Sequence, residues 1–187
     1  MRAYHSALKP SLNISKGLSF VEKNGNKAFV MDISKEFNSY DDCDILYSEP
    51  AWLDGYDEFL KRANNNDSSY DSYIDSIINI IQTCDKPIVL VLGKHVIKRF
   101  PIADSKIDVK LHGYHTNAYG WNIDLSTYQS ATTNYELIRL LANDYNCIGD
   151  FNCGYGNSGL IFKQNGKHFV MSDINEFCIS YIAEKVI

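Results

Sequence analysis

The sequence predicts an α/β fold in which a mostly parallel sheet of about seven strands is covered by helices on both faces. Short apolar runs that suit buried strands alternate along the chain with segments that have the i, i+3, i+4 spacing of amphipathic helices. The run Pro87–Gly93 is continuously apolar, as a central parallel strand buried on both faces should be. Alternation of this kind is typical of parallel sheets whose strands are joined by crossover helices.

Composition sets outer limits on the function. The 187 residues suffice for one domain with a sizeable core, and 45% hydrophobic and 22% charged residues are ordinary for a globular protein. A net charge of -5 argues against a broad basic face for duplex phosphates, although it does not exclude a local basic groove. We expect no membrane span or signal peptide. Five scattered cysteines without a C-x-x-C pair indicate reduced thiols, a cytoplasmic setting and no zinc site.

The first half of the chain contains three predicted strands and one long helix. Residues 1–26 are polar and weakly patterned, and we expect them to form an N-terminal extension. Residues 53–69 are also polar and include a loop at 64–67. Pro50 must end its strand because proline lacks the N–H that the ladder needs. The predicted strands are 28–33, ending near Asp32, then 44–50 and 87–93, and the helix is 70–84, capped by Asp67, Ser68 or Ser69.

The second half continues the alternation. A short helix at 95–100 is ended by Pro101. Two further strands are predicted at 107–115 and 121–128, with residues 112–120 forming the end and the turn between them. The remaining elements are a helix at 133–143 capped by Thr132 or Thr133, a strand at 147–152, a helix from about Ser158, a strand at 167–173 and a last helix at 175–187.

Residues 147–174 carry the strongest functional signal. The pattern predicts a strand, a glycine turn with Asp150, Gly154 and Gly156, a helix, and a second strand that ends at Asp173. Glycines at such a turn let the backbone approach a ligand, and a carboxylate about twenty positions later suits two ribose hydroxyls. The alternative is a tight structural turn with a solvated Asp173.

Residues 47–52, Tyr-Ser-Glu-Pro-Ala-Trp, form a second cluster at a strand end. Glu49 and the Pro50 carbonyl can accept hydrogen bonds from an amine, and the Trp52 indole can stack on a planar ring, worth ~1–3 kcal/mol. Alternatively, Trp52 fills the edge of the core and Pro50 only ends the strand. Since ligands of parallel α/β sheets bind beyond the carboxyl ends of the strands, we expect both clusters to face one crevice.

Together the two clusters resemble the S-adenosylmethionine-dependent DNA amino-methyltransferases, which modify adenine or cytosine amino groups, in the permuted motif order. Ser48–Trp52 is similar to the family's catalytic Asp/Asn/Ser-Pro-Pro-Tyr/Phe/Trp, and Asp150–Gly156 to its Asp-Pro-Phe-x-Gly-x-Gly loop. Asp173 is similar to its acidic cofactor residue, and Asn134–Ile138 to its Lys-Pro-x-Glu-Leu segment. The similarity runs from about residue 28 to the C-terminus. It implies a single, circularly permuted domain, 1–187, with a three-layer Rossmann-like methyltransferase fold.

The resemblance implies S-adenosylmethionine as cofactor and an exocyclic base amine, foremost adenine in DNA, as substrate. Asp173 would hold the ribose, the 150–156 loop the methionine part and Asp32 the adenine amine. The implied catalytic residues are Ser48, Glu49, Pro50 and Trp52, and the implied cofactor-binding residues are Asp32, Asp150, Phe151, Asn152, Gly154, Gly156 and Asp173, with no metal.

The chain also departs from the family pattern. The departures are Glu49 for Asp, Asn or Ser, Ala51 for the second proline, Asn152 for phenylalanine, and Asn134-Tyr135 for Lys-Pro. Two predicted strands use most of residues 101–132, which leaves little room for a target-recognition domain, so a protein partner could supply recognition. Two alternatives therefore stay open. One is a catalytically silent subunit that binds a partner protein or nucleic acid; the other is a methyltransferase for a small molecule or a protein side chain, which the acidic charge favours.

Other polar residues give weaker signals. His112 and His115 form an H-x-x-H pair, but on a strand this spacing places them on opposite faces, so we expect a polar rim contact rather than a metal site. Cys153 has no obvious base partner, which a catalytic thiolate would need. A basic concentration near the crevice either touches phosphates or forms a solvated face; its members are Lys94, Lys98, Arg99, Lys106 and Lys110.

Overall fold

The computed structural model describes residues 18–35, 37, 40–51, 53–63, 68–111 and 113–187. The described strands are β1 (Phe20–Lys23), β2 (Asn26–Val30), β3 (Ile45–Ser48), β4 (Ile88–Leu92), β5 (Ser105–Leu111), β6 (Tyr114–Trp121), β7 (Cys147–Asp150) and β8 (His168–Asp173). The described helices are α1 (Leu53–Arg62), α2 (Tyr70–Thr83), α3 (Asn134–Asp144), α4 (Asn157–Gln164) and α5 (Glu176–Lys185). Short 3₁₀ segments span Val96–Arg99 and Leu125–Tyr128.

The strands form one sheet in the order β1-β2-β8-β7-β3-β4-β6-β5. The pairings from β2 through β8, β7 and β3 to β4 are parallel, whereas β1–β2, β4–β6 and β6–β5 are antiparallel. A parallel centre with antiparallel edges is common in large α/β sheets. The predicted α/β, Rossmann-like, mostly parallel fold is therefore confirmed.

Helices cover both faces of the sheet. Because successive side chains of a strand point to opposite faces, β3 and β4 contribute to two separate cores. One core is filled from α3, α4 and α5 by side chains such as Leu137, Phe162 and Ile179, all fully buried. The other is filled from α2 by Ile74 and Ile77. The result is the expected three-layer arrangement. In the described part of the chain, no helix is long and apolar enough to cross a membrane.

The order of the strands reverses between β7 and β3. From β7 the chain continues to β8 on one side, whereas from β3 it continues to β4 on the other. In open α/β sheets, ligands bind in the crevice that such a switch point creates beyond the carboxyl ends of the strands. Here β7 leads into the glycine turn and β3 leads into Glu49 and Pro50, so the topology places both candidate clusters at one crevice.

The predicted strand at 121–128 and the predicted turn at 112–120 are wrong. Residues 114–121 form β6, which pairs with β5 through a tight connection at Gly113, whose φ of +85° suits glycine. Gly120 signalled a turn in the sequence, but it lies inside β6, where a Cβ would come within 2.8 Å of side chains from β5 and the following loop. Close packing, rather than a turn, requires this glycine. Leu125–Tyr128 is a 3₁₀ segment.

Two elements, β1 and α1, are not predicted from the sequence. With β1, the described sheet has eight strands rather than seven. Part of the expected N-terminal extension forms β1 and the start of β2, joined by a turn in which Asn24 and Gly25 have positive φ. Residues 1–17 and the predicted loop at 64–67 lie outside the described residues. The polar segment after Pro50 forms α1, whose buried Tyr56 ring packs 4.6 Å from that of Tyr73.

Among the described residues, three α-helices begin with a side-chain cap. The Ser69 side chain accepts a hydrogen bond from the Ser72 N–H, and Asn175 caps α5 in the same way through the Phe177 N–H. Thr133 forms a reciprocal capping box with Glu136 at the start of α3. Of the alternatives in the sequence, the structure therefore selects Ser69 and Thr133 as caps.

Replacing Thr133 by alanine should lower the free energy of unfolding by about 1 kcal/mol, because the Glu136 N–H loses its side-chain acceptor. Urea unfolding would measure the change. Thr83→Ala is the matched control, since the Thr83 hydroxyl only bonds back to the Asn79 carbonyl near the end of α2. A loss in Thr133→Ala no larger than in Thr83→Ala would contradict the importance of the cap.

Candidate active site

The two sequence clusters touch each other. The Asn152 side-chain amide donates a hydrogen bond to Ser48 Oγ at 2.8 Å, and Ser48 is fully buried. Tyr73 of α2 joins the same network, because its hydroxyl donates to Asn152 Oδ1 and accepts the Ala51 N–H, each at 3.0 Å. The loop after β3 and the glycine turn after β7 are therefore linked both directly and through α2.

A cleft that is partly open to solvent lies beside this network. Its polar wall is acidic, with carboxylates from three strand ends: Asp32 after β2, Glu49 after β3 and Asp173 in β8. Its apolar wall includes Met31, Ile33, Leu60 and Ile174. A concave site with an apolar lining and a few convergent polar groups is the usual form of a small-ligand pocket.

Asp150 supports the glycine turn from inside. Its Oδ1 accepts the Asn152 N–H at 3.2 Å, and its Oδ2 accepts the Ser158 hydroxyl at the start of α4. Burial raises the pKa of Asp150 to about 7, although these hydrogen bonds act in the opposite direction. Because Asp150 is only 4% exposed, it shapes the loop rather than forming the surface of the cleft.

The two turn glycines have different surroundings. Gly154 lines the cleft with φ of +51°, and a Cβ there would meet nothing within 4 Å. Gly156, with φ of +79°, is the N-cap of α4, and its Cβ would come 2.8 Å from Ile182. Gly154 thus leaves backbone open to a ligand, whereas Gly156 allows α4 and α5 to approach. Phe151, buried next to them, packs edge-on against Phe37.

Asp173 accepts a hydrogen bond from the glycine turn and also lines the cleft. Its Oδ2 accepts the Gly154 N–H and its Oδ1 the Asn175 N–H, each at 2.9 Å. A carboxylate offers about four lone-pair sites, so this one retains capacity for a ligand hydroxyl. The side chain is partly exposed on the cleft wall, and burial of the remainder raises its pKa.

The Asp32 carboxylate is held by the residues that follow it in the chain and by Ser68, just before α2. Its Oδ1 accepts the backbone N–H and the hydroxyl of Ser34, at 3.0 and 2.6 Å. Its Oδ2 accepts the Ser68 hydroxyl at 2.7 Å and lies 3.6 Å from Lys35 Nζ. These contacts fix the orientation of the Asp32 carboxylate, which lines the cleft. In the sheet, β8 and β7 separate the strand before Asp32 from the strand before Glu49.

Glu49 has two donors on one oxygen. The Tyr47 hydroxyl and the Asn134 side-chain amide both donate to Oε1 at 2.6 Å. Burial raises the pKa of Tyr47 well above its usual value, and the nearby Glu49 charge adds to the effect. Pro50 follows as a buried residue. Trp52 lies outside the described residues, so its stacking role remains a prediction.

The weaker candidates do not form a second site among the described residues. No group of three or more His, Cys, Asp or Glu side chains in those ranges could hold a metal ion. His115 is exposed in β6, and His112 is outside the described residues. Burial raises the pKa of Cys153 well above its usual value, which favours the neutral thiol. Arg99 pairs with Asp71 at 2.8 Å.

Sequence reasoning missed two residues of this site. Tyr73 falls within the predicted helix 70–84, and a period-3.6 pattern gives no sign that its hydroxyl bonds Asn152, 79 positions away. Asn134 was noted only as a departure from the family pattern. Its position at the first turn of a helix that follows a cap was the available signal.

Comparison with solved structures shows the class of fold. The chain is similar to a candidate DNA modification methylase from Thermus thermophilus, with a TM-score of 0.54 and 11% identity over 86% of this chain and 94% of that one. The M1.HpyAVI–SAM complex gives a TM-score of 0.48 and 10% identity over 76% of this chain and 87% of that one. No protein-family model and no curated protein matches the chain. The likeness to the Thermus thermophilus structure thus shows the fold of the chain, a Rossmann-like α/β fold.

Replacing Asp150 by asparagine should flatten the dependence of stability on pH. The folded-state pKa of about 7 lies above the ordinary 3.8, so the wild type is most stabilised by this group below about pH 4 and loses that contribution as the pH rises through 7. The loss reaches up to about 4 kcal/mol, because each pKa unit corresponds to about 1.4 kcal/mol.

Urea unfolding from pH 4 to 8 would test this expectation. The difference in unfolding free energy between wild type and Asp150→Asn should change mainly between pH 4 and 7. Asp85→Asn, which replaces an exposed carboxylate by the same amide, serves as the matched control. Parallel curves for the wild type and Asp150→Asn would show that Asp150 is charged in the folded protein at neutral pH.

Proposed function

We propose that this protein is an S-adenosylmethionine-dependent methyltransferase that acts on an exocyclic amine of a nucleic-acid base, with adenine in DNA as the first candidate. The observation that carries the proposal is the contact between the two clusters across the switch point, where Asn152 meets Ser48 at 2.8 Å. A ligand held by the glycine turn would therefore lie next to Glu49. Fold similarity alone would not support this, because one fold hosts many functions.

The residues of the cleft fit the proposed cofactor. The open space at Gly154 admits a ligand close to the backbone, where a larger residue would interfere. Asp173 suits two ribose hydroxyls, Asp32 suits an adenine amine, and the apolar wall suits a purine ring. The 150–156 loop would hold the methionine part, with Asp150 acting through the loop shape. When bound, S-adenosylmethionine supplies an electrophilic methyl group on a positively charged sulfonium, whose charge the acidic wall would stabilise.

Glu49 and the Pro50 carbonyl would act on the substrate amine. The lone pair of an exocyclic amine is delocalised into the base, which makes the nitrogen a poor nucleophile. Two acceptors that draw on its hydrogens would move the nitrogen towards tetrahedral geometry and localise the lone pair. The rest of the rate enhancement would come from positioning. A base in a duplex would first be flipped out, with Trp52 replacing part of the lost stacking.

Target recognition would come from a protein partner, in a cytoplasmic setting. Within residues 101–132, the described part is largely the β5–β6 hairpin and the following 3₁₀ segment, all of which belong to the sheet and its edge. The domain would then supply chemistry and cofactor binding, and the partner would supply most contacts with DNA.

The cofactor assignment predicts that the purified protein binds S-adenosylmethionine in calorimetry and that Asp173→Asn weakens binding about tenfold or more, because an amide accepts fewer hydrogen bonds from ribose. Exposed Glu184→Gln is the matched control and should bind as the wild type does. Wild-type protein that shows no heat of binding at millimolar cofactor would contradict the proposal and favour the silent binding subunit.

The catalytic assignment predicts that Glu49→Gln lowers methyl transfer roughly 100-fold or more while cofactor affinity stays within a few-fold, since the loss concerns only the reacting amine. Transfer would be measured with labelled cofactor and a mixture of DNA, RNA and cell extract. Label in DNA supports the proposal, whereas label only in protein or small molecules would favour the third alternative. Wild-type rates in Glu49→Gln would remove Glu49 from the mechanism.

A further inference from the structure

The Glu49 carboxylate is held from two directions. Tyr47 lies in β3, and Glu49 is the first residue after this strand, two positions further on, so the two side chains are near each other on one face of the sheet. The Tyr47 hydroxyl reaches Oε1 at 2.6 Å, and Asn134 Nδ2, which comes from α3 on that same face, reaches the same oxygen at 2.6 Å. A charge-assisted hydrogen bond is roughly twice as strong as a neutral one, so this oxygen is firmly fixed.

Both donors belong to rigid parts of the molecule. Tyr47 lies in β3 between β7 and β4 and is 1% exposed. Asn134, also 1% exposed, is the first residue of α3, directly after the Thr133 capping box. The Lys110 N–H bonds the Thr132 carbonyl at 2.9 Å, which ties the start of α3 to β5. Neither donor can follow Glu49 if it moves, so both restrict its position.

The arrangement leaves Oε2, the second carboxylate oxygen, without a hydrogen bond from the described residues. Within the described part of the chain, both hydrogen bonds that Glu49 accepts end on Oε1, while the residue lines the cleft. Glutamate is one methylene longer than aspartate, and the two donors draw its carboxylate back towards α3. Glu49 and Asn134 are two of the departures from the family pattern, and they contact each other, so the second offsets the first.

We propose that Tyr47 and Asn134 are positioning residues for methyl transfer. They hold Glu49 through Oε1 so that Oε2 accepts a hydrogen bond from the substrate amine. This inference rests on the proposed function. The competing explanation is that two buried polar side chains simply need a partner and find it in Glu49. That explanation predicts a loss of stability on mutation and no specific loss of catalysis.

Tyr47→Phe and Asn134→Leu separate the two explanations. Tyr128→Phe is the matched control, because the Tyr128 hydroxyl also donates to a carboxylate, Asp144 Oδ2 at 2.7 Å, but at the opposite end of α3. For each protein we would measure kcat and KM with unmethylated single- and double-stranded DNA of mixed sequence, the Kd for S-adenosylmethionine, and the thermal unfolding midpoint. Tyr47→Phe removes one oxygen atom and keeps the ring, so it remains informative if Asn134→Leu does not fold.

Support for the proposal would be a fall in kcat of about tenfold in each variant, with cofactor Kd within twofold of wild type. Tyr128→Phe should retain kcat within twofold even if its unfolding midpoint falls equally. The double variant should be no slower than Glu49→Gln, because all three changes act through one carboxylate.

One outcome would overturn the positioning role and leave the proposed function intact: the wild type is active, Glu49→Gln is inactive, and Tyr47→Phe retains wild-type kcat. It would also be overturned if Tyr128→Phe, at an equal fall in its unfolding midpoint, lost as much kcat as Tyr47→Phe and Asn134→Leu do. A wild-type protein that neither binds the cofactor nor transfers a methyl group would overturn the proposed function and the positioning role together.

Discussion

The pairing of β3 with β7 is the constraint on which the site depends. These neighbouring parallel strands leave in opposite directions along the sheet, so the loops at their carboxyl ends open a crevice between them. Backbone hydrogen bonds fix this geometry, and side chains only refine it. The contact of Asn152 with Ser48 and the bridge through Tyr73 then bind the two loops into a single unit.

The second general property of the site is its accumulated negative charge. Burial raises the pKa values of Asp150 and Asp173, and the charge of Glu49 raises that of Asp150 further. Carboxylates held close together in a partly enclosed cleft repel one another, and the loss of hydration further disfavours their charged form. A positively charged ligand relieves both costs, whereas a phosphate would increase them. An acidic cleft wall of this kind would accommodate a positively charged ligand more easily than a phosphate.

Local signals in the sequence are sufficient for most of the framework and for locating the two clusters that line the cleft. The apolar run of β4, the glycine turn and the cap at Thr133 depend on neighbours in the chain, so their patterns are readable. The strand β6 was misplaced because Gly120 serves packing rather than a turn. The roles of Tyr73 and Asn134 depend on contacts across 79 and 85 positions, which periodicity does not encode. Which side chains meet in a cleft can therefore be learned only from the three-dimensional structure.

The β5–β6 hairpin has a consequence for how such a domain could acquire new specificity. Since β6 runs against β4 and Leu92 pairs with Asn117, the start of β6 at Tyr114 projects past the carboxyl end of β4, on the side of the sheet where the cleft opens. Gly113 has free space around it. Extra residues inserted at this bend would extend the carboxyl edge of the sheet while the strand ladder stayed intact, so that edge could gain a new surface by lengthening a single connection.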